Sequence, residues 1–328
     1  MAYDDLLKIR TWSADGKKTS HITGLVPSLT WSGSLRDCAR KLSFDALPEA
    51  LAELGGMTRL YHGADILFSG HIRARERADG RQYLSCTAYD RGVFLKKNST
   101  YLAVRNQTPE AVTARLCGEF GIPTGRIAAT GVALSRNFLG STLYQVIQTL
   151  YTLAAERTGK KYQIRFRSND LEVVEKAIGP ESIRLEPGVN LISCRAEDSI
   201  EDMISSVAVY ADDYSRTAVY DSPEGYRDLY GLMQKAIKAS ASDDPAAAAR
   251  TLLRDNGVST AVTAVCLGNT KLITGNAVAL HEPVTGTDGL FWITADSHTV
   301  TRGIYRTTLT LDFRNLMDSQ EAGSLPKK

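Results

Sequence analysis

The sequence predicts a mainly β protein of the α+β class, with β-rich regions at both ends and an α/β region between them. Three observations carry this. Apolar and polar residues alternate with period two through most of residues 7–88 and again from 191 to 313. Gly- and Asp-containing turns break these runs at short intervals, which is the pattern of a small barrel or sandwich. Between about residues 105 and 158 the apolar spacing becomes helical instead.

The clearest strands are the last ones. Ala277–His281, Leu290–Ala295 and Ile304–Phe313 alternate, and Gly286, Asp288, Gly289 and Gly303 supply the turns between them. In the third run Tyr305, Thr307, Leu309, Leu311 and Phe313 share one face, opposite Arg306, Thr308, Thr310 and Asp312. The chain is therefore expected to end in an antiparallel meander that needs further strands to close its core.

In the first region Leu7–Trp12 alternates before the Asp15-Gly16 turn, and Ile22–Trp31 is a second extended run broken by Gly24 and Pro27. Leu42, Phe44 and Ala46 fall on one side of a third strand, although Leu35, Cys38 and Leu42 also fit helical spacing. Strands follow at 57–62, 65–75 and 81–88, and Asp79-Gly80 marks a hairpin between the last two.

In the middle region Thr108-Pro109 is an N-cap followed by proline at the first helical position, and Val112, Leu116, Cys117 and Phe120 form a stripe ended by Gly121. Ser141 or Thr142 caps a second helix whose face carries Leu143, Val146, Ile147, Leu150, Tyr151 and Ala154, with Gly159 as its stop. Residues 162–166 and 171–174 pair over Ser168-Asn169-Asp170. After a break at Gly179-Pro180, strands are expected at 191–196, 206–211 and 217–221, with a helical turn around 200–204. A further helix has Asp244 as N-cap and Pro245 at its first position and stops at Gly257.

With 328 residues, 43% hydrophobic and 23% charged, the chain buries a sizeable core and divides into two or three domains. A net charge of +2 gives no bulk pull toward nucleic acid. Met1–Asp5 is acidic and lacks an apolar leader, and no run is long enough to span a bilayer. Neither a signal peptide nor a membrane partner is expected. The five cysteines, Cys38, Cys86, Cys117, Cys194 and Cys266, are scattered and match a reduced, packed role in a cytoplasmically made protein.

No catalytic, cofactor or metal site is expected. Gly159-Lys160-Lys161 resembles the end of a phosphate loop, but Ala154 stands where glycine is required and the residues close a helix rather than open one. His21, His62, His71, His281 and His298 have no metal-ligand spacing. Glu197, Asp198, Glu201 and Asp202 are expected to line a capped first helical turn, where the dipole favours carboxylates. One charge pattern stands out. Alternation places Arg73, Arg75 and Arg77 on one strand face as a candidate interface for an acidic partner or phosphate, with a solvated face as the plain alternative.

Trp31-Ser32-Gly33 with Ala39–Phe44, Leu67–Ile72, Ala88–Leu95, Gly121–Ile127, the 143–157 helix, Gly275–Val278, Gly289–Ile293 and His298 form an ordered set of stretches. Taken in that order, they resemble the XkdQ/YqbQ-type baseplate hub proteins of contractile phage tails and phage-derived bacteriocin particles. The resemblance implies a structural, non-enzymatic homotrimer around a channel, with tail tube protein above, spike below, other baseplate and wedge proteins alongside and tape-measure protein within. It also implies a location in the assembled tail particle and no sequence-specific nucleic-acid binding. The resemblance further implies that the two barrels are tail-tube-like. The expected division is residues 1–96, a β-barrel-like domain; 97–179, the α/β middle domain; 180–316, a second β-barrel-like domain with similar strand order and an inserted helix at about 244–256; and 317–328, a loose tail. Two other classes remain open: a cell-wall hydrolase of the same particle, using Glu197 or Asp202, and a monomeric tail-assembly binding module.

Overall fold

The computed structural model describes residues 7–178, 183–238 and 245–326. Strand makes up 49% and helix 17%, and most of the helix lies between residues 92 and 158. The fold is therefore α+β and mainly β. The chain forms two compact units, Met1–Cys194 with Thr263–Lys328, and Arg195–Val262.

The chain opens with β1 (Lys8–Trp12), β2 (Thr19–His21), β3 (Ser28–Ser34), β4 (Asp37–Ala46), β5 (Met57–His62), β6 (Asp65–Glu76), β7 (Leu84–Asp90) and helix α1 (Gly92–Lys97). The middle region holds β8 (Ser99–Gln107), α2 (Pro109–Glu119), β9 (Thr124–Ile127), β10 (Leu134–Thr142), α3 (Leu143–Thr158), β11 (Tyr162–Arg167) and β12 (Asp170–Glu175). Next come β13 (Ile183–Leu185), β14 (Leu191–Ser199), β15 (Ser206–Tyr210), β16 (Arg216–Asp221), α4 (Tyr226–Tyr230), β17 (Gln234–Lys238) and α5 (Pro245–Asp255). The chain closes with β18 (Ser259–Leu267), β19 (Ala277–Glu282), β20 (Thr287–Thr301) and β21 (Ile304–Asp312).

Both β regions contribute to one thirteen-stranded sheet. Apart from the short β2, each supplies six strands in the same spatial order. The first runs β3-β4-β7-β6-β5-β1 and the second β14-β18-β21-β20-β19-β13, so in each the second and third strands are followed by the sixth, fifth, fourth and first. The match reaches individual hydrogen bonds. Gly55 N–H donates to the Ile72 carbonyl at 2.8 Å and Ile72 N–H to Gly56 at 2.9 Å; Gly275 donates to Ile293 and Ile293 to Asn276, each at 2.9 Å. The long fifth strand bulges at the same place in both, between Ile72 and Ala74 and between Ile293 and Ala295. Two features differ. β1 is antiparallel to β5 whereas β13 is parallel to β19. The second and third strands are joined by the Leu35-Arg36 turn in the first repeat, but by residues 200–258 in the second.

The first repeat's core shows the alternation the sequence predicts: Ile9, Leu29, Trp31, Leu42, Phe44, Leu60, Phe68, Ile72 and Ala88 are buried together. Strand geometry wins over helix between Leu35 and Leu42, because β4 pairs along its length with β3 and β7. The expected hairpin strand starting at Arg81 begins instead at Leu84, and Gly80 sits at φ +74° in a longer connection. In the second repeat β20 is far longer than the expected run. Period two fails in it because Phe291, Trp292 and Ile293 are all buried.

The middle region has its own core, built from Leu95, Val104, Val112, Leu116, Phe138 and the buried face of α3. Its helix ends match the sequence expectation. Thr108 Oγ1 accepts from Ala111 N–H, Thr142 and Gln145 form a reciprocal capping box, and Gly159 closes α3 at φ +72°. β11 and β12 form the expected hairpin, whereas the β8–β10 pair was not legible, since β8 has little alternation and one buried residue. The described part of the expected loose tail, residues 317–326, is tied to the middle region. Tyr144 Oη donates to Asp318 Oδ2 at 2.6 Å, Ala322 N–H donates to Thr149 at 3.1 Å, and Asn137 and Ser324 exchange backbone bonds at 2.8 Å. Met317 and Ala322 pack on the middle core. Buried Arg136, Gln148 and Thr149 explain the docking, since their polar groups need the partners that tail backbone supplies.

The second unit carries β15 between β16 and β17, with α5 packed over Val207 through Ala249 and Leu253. The expected cap Asp244 and the Gly179-Pro180 break lie outside the described residues. The helical turn expected at 200–204 is absent; Glu201 and Asp202 occupy a non-helical turn after β14.

Candidate interaction face

The two repeats meet where β20 pairs antiparallel with β3, from Ala295 opposite Ser34 to Thr301 opposite Ser28. Beneath this joint lies a polar network. Arg40 on β4 donates through Nη1 to Asp296 Oδ1 at 3.0 Å and through Nη2 to Oδ2. Thr274 donates its backbone N–H to Asp296 Oδ1 at 2.7 Å and its hydroxyl at 2.6 Å. The guanidinium stacks 4.1 Å over Trp31, and Trp31 lies 4.7 Å from the ring of His298. His298 Nδ1 is 2.9 Å from Tyr305 Oη, and its Nε2 is 3.3 Å from Asp296 Oδ2.

Burial alone would raise the pKa of Asp296, but the Arg40 charge and the neighbouring His298 outweigh it and hold the carboxyl well below its usual range. A Cβ on Gly33 would stand 2.3 Å from Arg40 Nη1, so glycine there leaves the guanidinium its path to Asp296. The sequence reading missed Asp296. Its signal was a carboxylate at an inward position of an alternating strand, two residues before His298. Segments noticed separately, Trp31–Gly33, Ala39–Phe44 and His298, converge on this one network.

On the first repeat the bulge after Ile72 changes the parity that simple alternation assumes. Ile72 lies opposite Ala88 and Arg75 opposite the buried Cys86, so the bulge puts Arg75 on the side of Ile72, where regular alternation would have placed Ala74. Arg73, Arg75 and Arg77 nevertheless border one groove with Leu54, Ala74 and Leu84. Arg73 sits 5.1 Å over the Phe94 ring, and Arg75 Nη1 donates to the Ala52 carbonyl at 2.6 Å. All three arginines are exposed. Burial, then the charges of Arg73 and Arg91, lower the pKa of His71 beside them, so at neutral pH the positive charge of the face is carried by arginine.

Glu197 and Asp198 extend along β14 instead of lining a helix. Glu197 binds Arg195 at 2.6 Å, and Asp198 accepts from Thr260 at 2.6 Å. Among the described residues no group of three or more His, Cys, Asp or Glu is placed to hold a metal, and no helix is long and apolar enough to cross a membrane. Burial pushes the thiols of Cys86 and Cys117 up to about 11 and that of Cys266 to about 12, which keeps them protonated at neutral pH.

Comparisons with known proteins bear on this arrangement. YqbQ of Bacillus subtilis strain 168 is 27% identical over 255 residues, covering 75% of this chain and 77% of its own. The XkdQ protein of the phage-like element PBSX, from the same organism, is 24% identical over 240 residues, covering 71% and 73%. The crystal structure of the 43 kDa tail protein of prophage MuSo2 from Shewanella oneidensis superposes with a TM-score of 0.73 at 13% identity, over 95% of this chain and 100% of that one. The fold is thus that of a phage tail protein. The YQBQ-like family model matches residues 29–312, a span that runs from β3 through the middle region to β21, and the chain belongs to that family.

Proposed function

We propose that this chain is the structural hub of a phage tail or phage-tail-like baseplate, joining the tail tube to the central spike as a trimer around the channel. The observation that carries the reading is the internal repeat, six strands in one spatial order occurring twice in one chain. Three copies present six similar modules to a six-fold tube and three whole chains to a three-fold spike. In this reading the first repeat and the second, without the connection at residues 200–258, are the two tube-like domains, and the middle region braces them. Tube protein sits above, spike below, baseplate and wedge proteins outside, and tape-measure protein in the channel. The protein has a scaffolding rather than an enzymatic role and resides in the assembled particle.

The test is copy number and symmetry in purified particles, by quantitative mass spectrometry and electron microscopy. Three copies in a ring are expected. A single copy per particle, or a six-fold ring of whole chains, would overturn the proposal.

A further inference from the structure

The repeats differ in what lies beside the fifth strand. Beyond its bulge, β20 pairs with β3, and Ala295–Val300 are buried or half-buried there. The corresponding stretch of β6, Arg73–Glu76, is exposed, with β7 on one edge and no strand on the other among the described residues. The second strands differ in the complementary way. β3 lies between β4 and β20, whereas β14 has β18 on one edge and, among the described residues, no strand on the other. Each molecule thus contains one completed joint and the two separate halves of another.

We propose that β6 of one copy pairs antiparallel with β14 of a second copy, repeating between chains the β20–β3 joint made within one chain. This rests on the oligomeric reading above and names the surface that would build it. Backbone groups on two open edges supply the affinity, as in strand addition generally. The contact is head-to-tail, the kind that closes into a ring.

Charge supplies the specificity. In the joint within the chain, the fifth strand contributes Asp296 and the other repeat contributes Arg40. Matching the bulges places Arg75 at the position of Asp296 and Arg77 at that of His298, so the polarity of the fifth strand is reversed. Its partner must then be acidic. β14 carries Glu197 and Asp198, and the turn after it carries Glu201 and Asp202, against Arg195 alone. The same reversal keeps β6 from competing for β3, where Arg75 would face Arg40; repulsion excludes the wrong pairing as attraction selects the right one.

The experiment uses the full chain assembled into particles. Arg73→Glu, Arg75→Glu and Arg77→Glu together are expected to cut incorporation about tenfold, the effect of several like-charge cross-strand pairs. Adding Glu197→Lys, Asp198→Lys, Glu201→Lys and Asp202→Lys is expected to restore it, with unfolding midpoints showing that every variant folds. Single Arg73→Cys, Arg75→Cys and Arg77→Cys chains are expected to include at least one that forms a disulfide with Cys194 of a second copy, lost in Cys194→Ser. Three copies per wild-type particle with undiminished incorporation of the reversed chain, or with no rescue and no disulfide, would overturn this pairing and leave the hub reading standing. A copy number other than three would overturn both.

Discussion

Ile72 and Ile293 occupy the same place in two copies of one strand plan, with matching backbone bonds to Gly55-Gly56 and Gly275-Asn276, yet the chain beyond them meets different surroundings. After Ile293 the strand enters a joint where Asp296 is buried against Arg40; after Ile72 it passes three exposed arginines. The comparison teaches that the buried residues of a repeat specify its topology, whereas the residues just past the bulge specify its neighbour. A second difference follows the same logic. The connection between second and third strands is two residues in one repeat and runs over residues 200–258 in the other, so the plan tolerates change where the core is not involved.

The comparison breaks most sharply at the matched pair Asp296 and Arg75. Asp296→Ala is expected to cost about 3–5 kcal/mol, because it strands the Arg40 guanidinium without its partner, whereas Arg75→Ala is expected to cost less than about 0.5 kcal/mol. Urea unfolding of the two variants measures the gap. The gap also has a pH signature. Asp296 has a depressed pKa, so its contribution is fully present above the unfolded carboxylate value of roughly 3.9 and is lost as pH falls through the lower folded value. The difference between wild type and Asp296→Ala should therefore stay level from pH 7 to about pH 4 and shrink only below it.

The shared core predicts equality instead. Ile72→Ala and Ile293→Ala remove equally buried side chains at matched positions, and each is expected to lower stability by about 2–5 kcal/mol. Values differing by more than about 2 kcal/mol would show that the two cores are not equivalent. The matched glycines sharpen the contrast at smaller amplitude. Gly55 and Gly275 both have positive φ, +83° and +94°, so alanine at either is expected to cost on the order of 1 kcal/mol. Gly275→Ala should cost more, since its Cβ would meet Gln163 Oε1 at 1.8 Å while the nearest atom at Gly55 is 3.9 Å away. Thermal midpoints of the two variants rank them.

The smallest expected effect on the fold is at the arginine face. Replacing Arg73, Arg75 and Arg77 by Ser should leave the unfolding free energy within about 0.5 kcal/mol of wild type, as for other exposed positions. The same variant should incorporate less well into particles at moderate salt, where remaining attractions are screened. Unchanged incorporation at every salt concentration would return the three residues to a solvated face.

Much of the local structure was legible. Thr108-Pro109, the cap at Ser141 or Thr142, Gly159 and the alternation of Leu42, Phe44 and Ala46 each announce their element, because caps and periodicity depend on residues a few positions apart. The family resemblance was legible too, as an ordered set of weak segments. Other features lay beyond local pattern. Polar residues after Leu316 read as a loose tail, yet their backbone serves buried groups on α3 and β10. The arginines read as part of a regular strand, yet a bulge puts Arg75 on the side of Ile72.

By itself, then, the sequence determined where the capped helices and the alternating strands lie, which of their faces are apolar, and that the β, α/β, β order resembles a tail hub. Only the tertiary structure decided that both ends enter one sheet, that their strands follow the same order, and that Asp296 meets a guanidinium 256 positions earlier in the chain. The physical reason is one of range. Propensity, capping and amphipathic spacing act between near neighbours and are written in short windows, whereas strand neighbours and the partners of a buried charge are settled by which distant surfaces satisfy one another's hydrogen bonds.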